Sequence, residues 1–188
     1  MSVFSSNRER RLWLLLLAVV AAIFSTLATA SSLAGMLRQH GLLEVSFAVG
    51  AALVGSMIII HALKSRPDRA RLAITLGVIA AYSLVFVRMA NPAERTHLIE
   101  YGVVAILAYE ALSERARNGR RVFAPPLLAI LLASLIGVAD EVIQSTLPSR
   151  VFDERDILFN VLASVMAVSS SAALSWSRQR LKAGHRSK

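Results

Sequence analysis

The chain has 188 residues, of which 55% are hydrophobic and 18% charged, and it carries no cysteine and a formal net charge of +9. Soluble domains average about 45–50% apolar and about 25% charged residues, so this composition excludes an ordinary soluble domain. The lack of cysteine excludes a disulfide framework, a thiolate metal site and a cysteine nucleophile.

Six apolar runs follow one another along the chain, each close to the ~20 residues that a helix needs to cross a hydrocarbon core about 30 Å thick. They are rich in Leu, Ala, Val and Ile and have no alternating polar face, which favours helices over barrel strands. We therefore predict an all-α fold, a polytopic transmembrane helical bundle of about six helices. The runs are 12–37, 42–63, 72–90, 92–112, 122–139 and 157–176.

The first run has two interpretations. Arg8, Arg10 and Arg11 precede it, and together with the triplet Ala28-Thr29-Ala30 they imitate a cleavable signal peptide. Apolar residues continue past the triplet to Leu37, a stretch too long for a signal core, so we favour a retained first span. Cleavage would leave five helices with the same orientation.

The segments between the runs alternate in charge, which predicts orientation because Lys and Arg concentrate in cytoplasmic loops. One set of segments sums to +12 and the other to −3. We predict a multi-pass protein of the bacterial inner (cytoplasmic) membrane, with both termini cytoplasmic and outer loops near 38–41, 88–97 and 140–156. The basic segments then contact anionic lipid headgroups, and we expect no nucleic-acid partner. The basic segments contain Arg8, Arg10, Arg11, Lys64, Arg66, Arg69, Arg71, Arg115, Arg117, Arg120, Arg121, Arg178, Arg180, Lys182, Arg186 and Lys188.

The predicted topology divides the chain into three parts. Residues 1–91 hold two to three N-terminal transmembrane helices, 92–176 form a helical core with an outward-facing polar site, and 177–188 are a basic cytoplasmic tail. The fourth span begins at Asn91-Pro92-Ala93-Glu94, which has an N-cap residue, a proline at the first helical position and an acid in the first turn.

Polar residues in or beside the spans are functional candidates, because an ionisable group there costs free energy unless it is paired or hydrated. Helical spacing places them in three groups, and the predicted topology brings all three to the outer surface. The groups are His97, Glu100 and Tyr101 on the fourth run; Asp140, Glu141 and Gln144 at the end of the fifth; and Asp156 and Asn160 on the sixth.

Each group also has a structural interpretation. Asp153 is an N-cap candidate with Asp156 three residues later. His97 could face water at the interface, and Tyr101 could belong to an aromatic belt. Glu141 could pair with Arg150 or Arg155 in a solvated loop, where such pairs contribute little to stability.

The segments 140–144 (Asp-Glu-Val-Ile-Gln) and 147–153 (Leu-Pro-Ser-Arg-Val-Phe-Asp), followed by Asp156 and Asn160, resemble the signature of the VanZ-like membrane proteins. His97 and Tyr101 match that family's His-x-x-x-Tyr, and the resemblance covers about residues 92–170. Ser149 and Ala163 stand where the family usually has glycine. The resemblance implies a role in the cell envelope, since the family is named for a teicoplanin-resistance protein, although its molecular activity is unassigned.

Our leading hypothesis is a site that binds or modifies an envelope lipid or a lipid-linked precursor and thereby influences glycopeptide susceptibility. Arg150 is the candidate phosphate contact, because a guanidinium binds phosphate oxygens in bidentate fashion. The candidates for acid/base catalysis are His97, Asp140, Glu141 and Asp156. The candidates for substrate binding are Glu100, Tyr101, Gln144, Arg150 and Asn160.

Two alternatives remain, and whether the protein is an enzyme stays open. In the first, His97, Glu100, Asp140, Glu141 and Asp156 serve a metal-assisted enzyme, since they are ligands suited to Mg²⁺, Mn²⁺ or Zn²⁺. No dense metal motif is present, so we predict no resident metal and no other cofactor. In the second, the polar cluster is a structural network in a non-enzymatic membrane scaffold. A transporter is a weaker fit, because the polar residues gather at one surface.

Overall fold

The computed structural model describes residues 3–42, 45, 49, 69–88, 92–147 and 152–186. These residues form five α-helices and no strand, which confirms the all-α prediction for the described part of the chain. The helices are α1 (Asn7–Gln39), α2 (Arg69–Arg88), α3 (Pro92–Arg117), α4 (Pro125–Gln144) and α5 (Glu154–Arg186). The predicted run 42–63 lies almost entirely outside the described residues.

Three described segments are long and apolar enough to cross a membrane, namely Asn7–Leu27, Pro125–Gln144 and Glu154–Trp176. A shorter apolar helix covers Leu72–Val85. The helix that carries His97, α3, is long enough to span but is not one of the three, and it has charged residues within it as well as at both ends.

The chain divides into two units. The first comprises Met1–Leu27 and Met89–Ala172, and it includes the first part of α1, all of α3 and α4, and most of α5. The second comprises Ala28–Arg88 and Ala173–Lys188, and it includes the end of α1 and all of α2. Every residue of the candidate site that the structure describes belongs to the first unit.

Helix α4 shows why the first unit packs as a membrane protein does. Its inward face carries small and polar residues, whereas large apolar side chains on its other face are exposed. Small residues let helix backbones approach closely, and in a bilayer the large apolar side chains are covered by lipid. The buried residues are Ala129, Ala133, Gly137, Asp140, Glu141 and Gln144, and the exposed ones include Leu127, Leu131, Leu135, Val138 and Val142.

The apolar core of the first unit is built on the same plan from four helices. Alanine dominates on α3, α4 and α5, and α1 contributes larger side chains that fill the space alongside. The buried members are Leu16, Ile23, Val104, Ala105, Ala108, Ala129, Ala133, Ala167 and Val168. The N-terminal part of α1 is therefore an integral element of this unit.

A short connection sets the antiparallel packing of α3 and α4. Gly119 adopts a left-handed backbone with φ of 80°, and Arg120 N–H donates to Arg115 O at 3.3 Å, the Schellman arrangement that ends a helix. Pro125 and Pro126 then start α4. Proline has no backbone N–H, but this costs no hydrogen bond here because N–H groups in the first turn of a helix have no acceptor within the helix.

One end of the first unit carries an ion-pair cluster that joins α1 to α3. Arg8 contacts Glu110 at 2.9 Å and Glu114 at 2.7 Å, and Arg115 contacts the buried Glu9 at 2.9 Å. Ser5 donates to Glu9 Oε2 from both its N–H and its hydroxyl at 2.6 Å. These contacts fix the start of α1 against the C-terminal turns of α3.

Candidate functional site

Side chains from α3, α4 and α5 meet at the end of the first unit away from the ion-pair cluster. The N-terminal half of α3, the last turn of α4 and the first turns of α5 each contribute, because α4 runs antiparallel to both of its neighbours. The buried polar members are His97, Asp140, Glu141, Gln144, Asn160 and Ser164, and the buried Tyr101 packs among them.

Tyr101 and Asp140 form the shortest contact of the site. The Tyr101 hydroxyl donates to Asp140 Oδ2 at 2.7 Å, and the two residues are 0% and 1% exposed. Asp140 Oδ1 has no hydrogen-bond partner among the described residues. Tyr101 is thus a buried donor and not a member of an exposed aromatic belt.

His97 is held by Asn160 and lies parallel to Tyr101. Its Nδ1 is 3.0 Å from Asn160 Oδ1, and because an amide oxygen only accepts, Nδ1 is the donor in this hydrogen bond. The two rings stack at 6.0 Å with an angle of 9° between their planes. His97 Nε2 lies 3.6 Å from Asp156 Oδ2, which is too long for a hydrogen bond. Because His97 is buried, it does not face water at an interface.

Glu141 is fully buried, which contradicts its interpretation as part of an ion pair in a solvated loop. Gln144 Nε2 donates to Glu141 Oε1 at a long 3.4 Å, whereas Oε2 has no hydrogen-bond partner in the described part of the chain. A buried polar group left without a partner costs about 1–3 kcal/mol, and more when it is charged. The unpartnered carboxylate oxygens of the site can therefore take up a proton, accept a hydrogen bond or bind a cation.

Two residues that the sequence did not single out shape the site. Gly137 lies where any side chain would meet Asn160, with an added Cβ only 2.8 Å from Asn160 Cβ. Ser164, four residues after Asn160, donates to the Asn160 backbone oxygen at 2.8 Å. The only sequence signal for Gly137 is a small residue one turn before Asp140 and Glu141.

The remaining candidates differ in their positions. Glu100 is half-buried and is not one of the three residues whose ligand atoms cluster most tightly. Asp156 has a side chain 15% exposed, so the site reaches the surface beside it. Asp153 Oδ1 accepts the Arg155 N–H at 2.9 Å, which confirms Asp153 as the N-cap of α5. Arg150, with Pro148 and Ser149, lies outside the described residues.

The tightest cluster consists of His97, Asp140 and Glu141. One ring nitrogen of His97 and one carboxylate oxygen from each acid lie within 4.8 Å of one another, and all three residues are buried. An imidazole beside two carboxylates can transfer protons, share a proton between the acids or bind a cation. Each possibility uses the unpartnered oxygens of Asp140 and Glu141.

Comparisons of the chain with protein-family models, curated proteins and solved structures found no match.

Proposed function

We propose that the chain is a polytopic inner-membrane protein resembling the VanZ-like family, with about six spans and both termini cytoplasmic. Three described helices of sufficient length and apolarity support membrane insertion. The basic residues of the ion-pair cluster support a cytoplasmic N-terminus, because Lys and Arg concentrate on the cytoplasmic side of a membrane. They lie at the end of α3 away from His97 and Asp140, which supports an outer position for the polar site. The ~25 Å that separates His97 from Glu114 along α3 is close to the thickness of a hydrocarbon core.

We further propose that the polar site binds or modifies the headgroup of an envelope lipid or a lipid-linked precursor at the outer membrane surface. One observation carries this proposal: buried His97, Asp140 and Glu141 converge from two helices and leave carboxylate oxygens without partners. A site with only a structural role would gain stability from satisfying these atoms.

The residues take distinct parts in this proposal. His97, Asp140 and Glu141 are the acid/base candidates, and Asp156 stands where the site reaches the surface. Tyr101, Gln144 and Asn160, named from the sequence as substrate-binding candidates, hydrogen-bond to those groups and orient them. Arg150 remains the proposed phosphate contact, because it follows α4 by only a few residues and a guanidinium matches phosphate geometry.

The test compares strains that express the wild type, Arg150→Ala, Glu141→Gln or no protein. We expect both variants to reach the membrane at wild-type level and yet to give the lipid and peptidoglycan-precursor profile, and the teicoplanin susceptibility, of the strain without the protein. Matched controls are Arg155→Ala and Glu154→Gln, which alter exposed residues of the same segment. Wild-type profiles in both site variants would reject the proposal.

A structural scaffold is the second candidate, favoured by the hydrogen bonds that join α3 to α4 through Tyr101 and Asp140 and α3 to α5 through His97 and Asn160. The scaffold predicts that Glu141→Gln changes the amount of folded protein without a separate loss of activity. Quantifying membrane-inserted protein alongside the lipid profile therefore distinguishes the two candidates.

A further inference from the structure

The side chains of His97, Asp140 and Glu141 are all held in the same way, which becomes clear when their hydrogen bonds are compared. Each is held through one atom by an uncharged buried partner, and each of the two carboxylates has a second oxygen with no hydrogen-bond partner among the described residues. Asn160 holds His97 Nδ1, Tyr101 holds Asp140 Oδ2, and Gln144 holds Glu141 Oε1. The atoms left over are His97 Nε2, Asp140 Oδ1 and Glu141 Oε2, and neither carboxylate oxygen has a hydrogen-bond partner within the described ranges.

We propose that His97, Asp140 and Glu141 form a site for one divalent transition-metal ion, of the class of Zn²⁺ or Mn²⁺. The ligands are His97 Nε2, Asp140 Oδ1 and Glu141 Oε2. Tyr101, Asn160 and Gln144 are positioning residues, matching the outer-shell groups that orient imidazole and carboxylate ligands in metalloproteins. The inference deepens the proposed function and rests on it for the role of the ion.

The spacing fits a metal after a small adjustment. Ligand atoms about 2.1 Å from a common ion are about 3.4 Å apart in a tetrahedron. One ring nitrogen of His97 and one oxygen from each carboxylate already lie within 4.8 Å of one another, so small side-chain rotations would bring three ligands to this spacing. His97 Nε2 and Asp156 Oδ2, at 3.6 Å, are too far apart for a hydrogen bond but close to the spacing of two ligands, so Asp156 can complete the set.

The chemistry of the donors selects the class of ion. One imidazole with two or three carboxylates suits Zn²⁺ or Mn²⁺ better than Mg²⁺ or Ca²⁺, which prefer oxygen ligands alone. The charge also fits, because a divalent cation neutralises two carboxylates that are 99% or more buried. Sequence spacing does not reveal such a site, since the imidazole and the carboxylates lie on α3 and α4, 43 residues apart from His97 to Asp140.

A cation here would serve the headgroup chemistry. Phosphate oxygens bind divalent ions, so an ion held by these residues would contact the phosphate of a headgroup that enters the site. The partly exposed side chain of Asp156 marks the side from which a headgroup would enter.

The first test measures metal in protein purified in detergent, stripped with chelator and titrated with Zn²⁺ and Mn²⁺. We expect the wild type to bind one equivalent of at least one of these ions, by elemental analysis after gel filtration. Asp140→Asn and Glu141→Gln should reduce the bound metal below a tenth of an equivalent. The matched control Glu154→Gln, an exposed acid at the start of α5, should bind as the wild type does. A wild type that binds neither ion stoichiometrically overturns the proposal, whether or not the variants fold.

The second test addresses the positioning residues. Tyr101→Phe removes the hydroxyl that holds Asp140 and leaves all three ligands in place. We expect its metal dissociation constant to rise 10–100-fold with the stoichiometry unchanged, as found for outer-shell partners generally. An unchanged dissociation constant would contradict this role for Tyr101, and stoichiometric binding by both Asp140→Asn and Glu141→Gln would place the metal elsewhere.

A third arm separates this inference from the proposed function. Arg150→Ala should keep its equivalent of metal while losing the lipid phenotype. If wild-type protein binds metal and yet leaves lipid profiles unaffected, the proposed function fails and the metal site stands. If the lipid phenotype depends on Glu141 but the wild type binds no metal, the metal inference fails alone.

Discussion

Gly137 of α4 lies directly against the side chain of Asn160 on α5, so that a Cβ added to the glycine would be 2.8 Å from Asn160 Cβ and 2.9 Å from its Nδ2. Real Cβ contacts of this length are essentially never found, so the two helices approach as closely here as a glycine permits. Asn160 in turn orients His97 through a 3.0 Å contact. The close approach of α4 and α5 therefore positions Asn160, and through Asn160 it orients the His97 ring in the candidate site.

Gly137→Ala should therefore destabilise the first unit and disturb the site together. Inserting a methyl group into a well-packed contact costs about 1–3 kcal/mol, here by forcing α4 and α5 apart. The thermal midpoint in detergent measures the loss, and metal or lipid assays measure the effect on the site. Gly102→Ala is the matched control, because its added Cβ would sit at an ordinary 3.8 Å from Ala167 Cβ. Equal stability of the two variants would contradict the proposed role of Gly137.

Apolar run length predicts the positions of the described helices, of which three are long and apolar enough to cross a membrane. The run 122–139 corresponds to α4 (Pro125–Gln144), and 157–176 lies inside α5 (Glu154–Arg186). The helices continue beyond the apolar runs since backbone hydrogen bonding does not stop where hydrophobicity does. Asp140, Glu141 and Gln144 accordingly occupy the last turn of α4 and not a loop.

The partners within the site were not predictable from spacing. Helical periodicity placed His97, Glu100 and Tyr101 on one face, but positions i+3 and i+4 lie about 100° apart around the axis. Tyr101 points into the bundle, whereas Glu100 is half-buried. Which residue of α3 meets Asp140 depends on the rotation of that helix about its axis, which leaves no periodic signal in one sequence.

Leu135→Arg tests whether the exposed apolar face of α4 is covered by lipid. Leu135 is 65% exposed in the middle of a helix with the length and apolarity of a span. An arginine near the centre of an inserted helix costs about 2.5–3.5 kcal/mol, so we expect less protein in the membrane fraction. Leu135→Ala controls for the loss of the side chain. An undiminished membrane level of the arginine variant, or its recovery as soluble folded protein, would contradict a lipid-facing position.

The mature protein should retain its first helix. Leu16 and Ile23 are in the apolar core, and Glu9 pairs with Arg115 on α3, so cleavage after Ala30 would remove part of the core and expose the rest. Intact-mass measurement of the purified protein should show no loss of residues 1–30. Ala28→Arg and Ala30→Arg replace the small residues that a signal peptidase needs at a cleavage site. The mass of each variant should therefore differ from that of the wild type only by the mass of the substitution. A wild-type mass that begins at Ser31 would refute retention.

The ion-pair cluster should make stability depend on pH through Glu114. Burial raises the pKa of this carboxyl, but hydrogen bonds from Asn118, Ser6 and Arg8 and the charge of Arg8 outweigh it, so the pKa lies below its ordinary value of 4.5. A carboxyl with a lowered pKa contributes stability that is fully present above the ordinary value and is lost as the pH falls through the lowered one.

Glu114→Gln should therefore have a lower melting temperature than the wild type at pH 7. The free energy of unfolding should fall by an amount on the order of 1 kcal/mol, as expected for a partly exposed ion pair. The difference should shrink below pH 4.5 and vanish in stronger acid, where the wild-type carboxyl is protonated as well. Melting curves in detergent from pH 7 to pH 3 measure this, and repeating them in 1 M salt should reduce the difference at pH 7, because Arg8 is exposed and its charge is screened. A gap between wild type and variant that stays constant down to pH 3 would mean that the Glu114 charge does not stabilise the contact between α1 and α3.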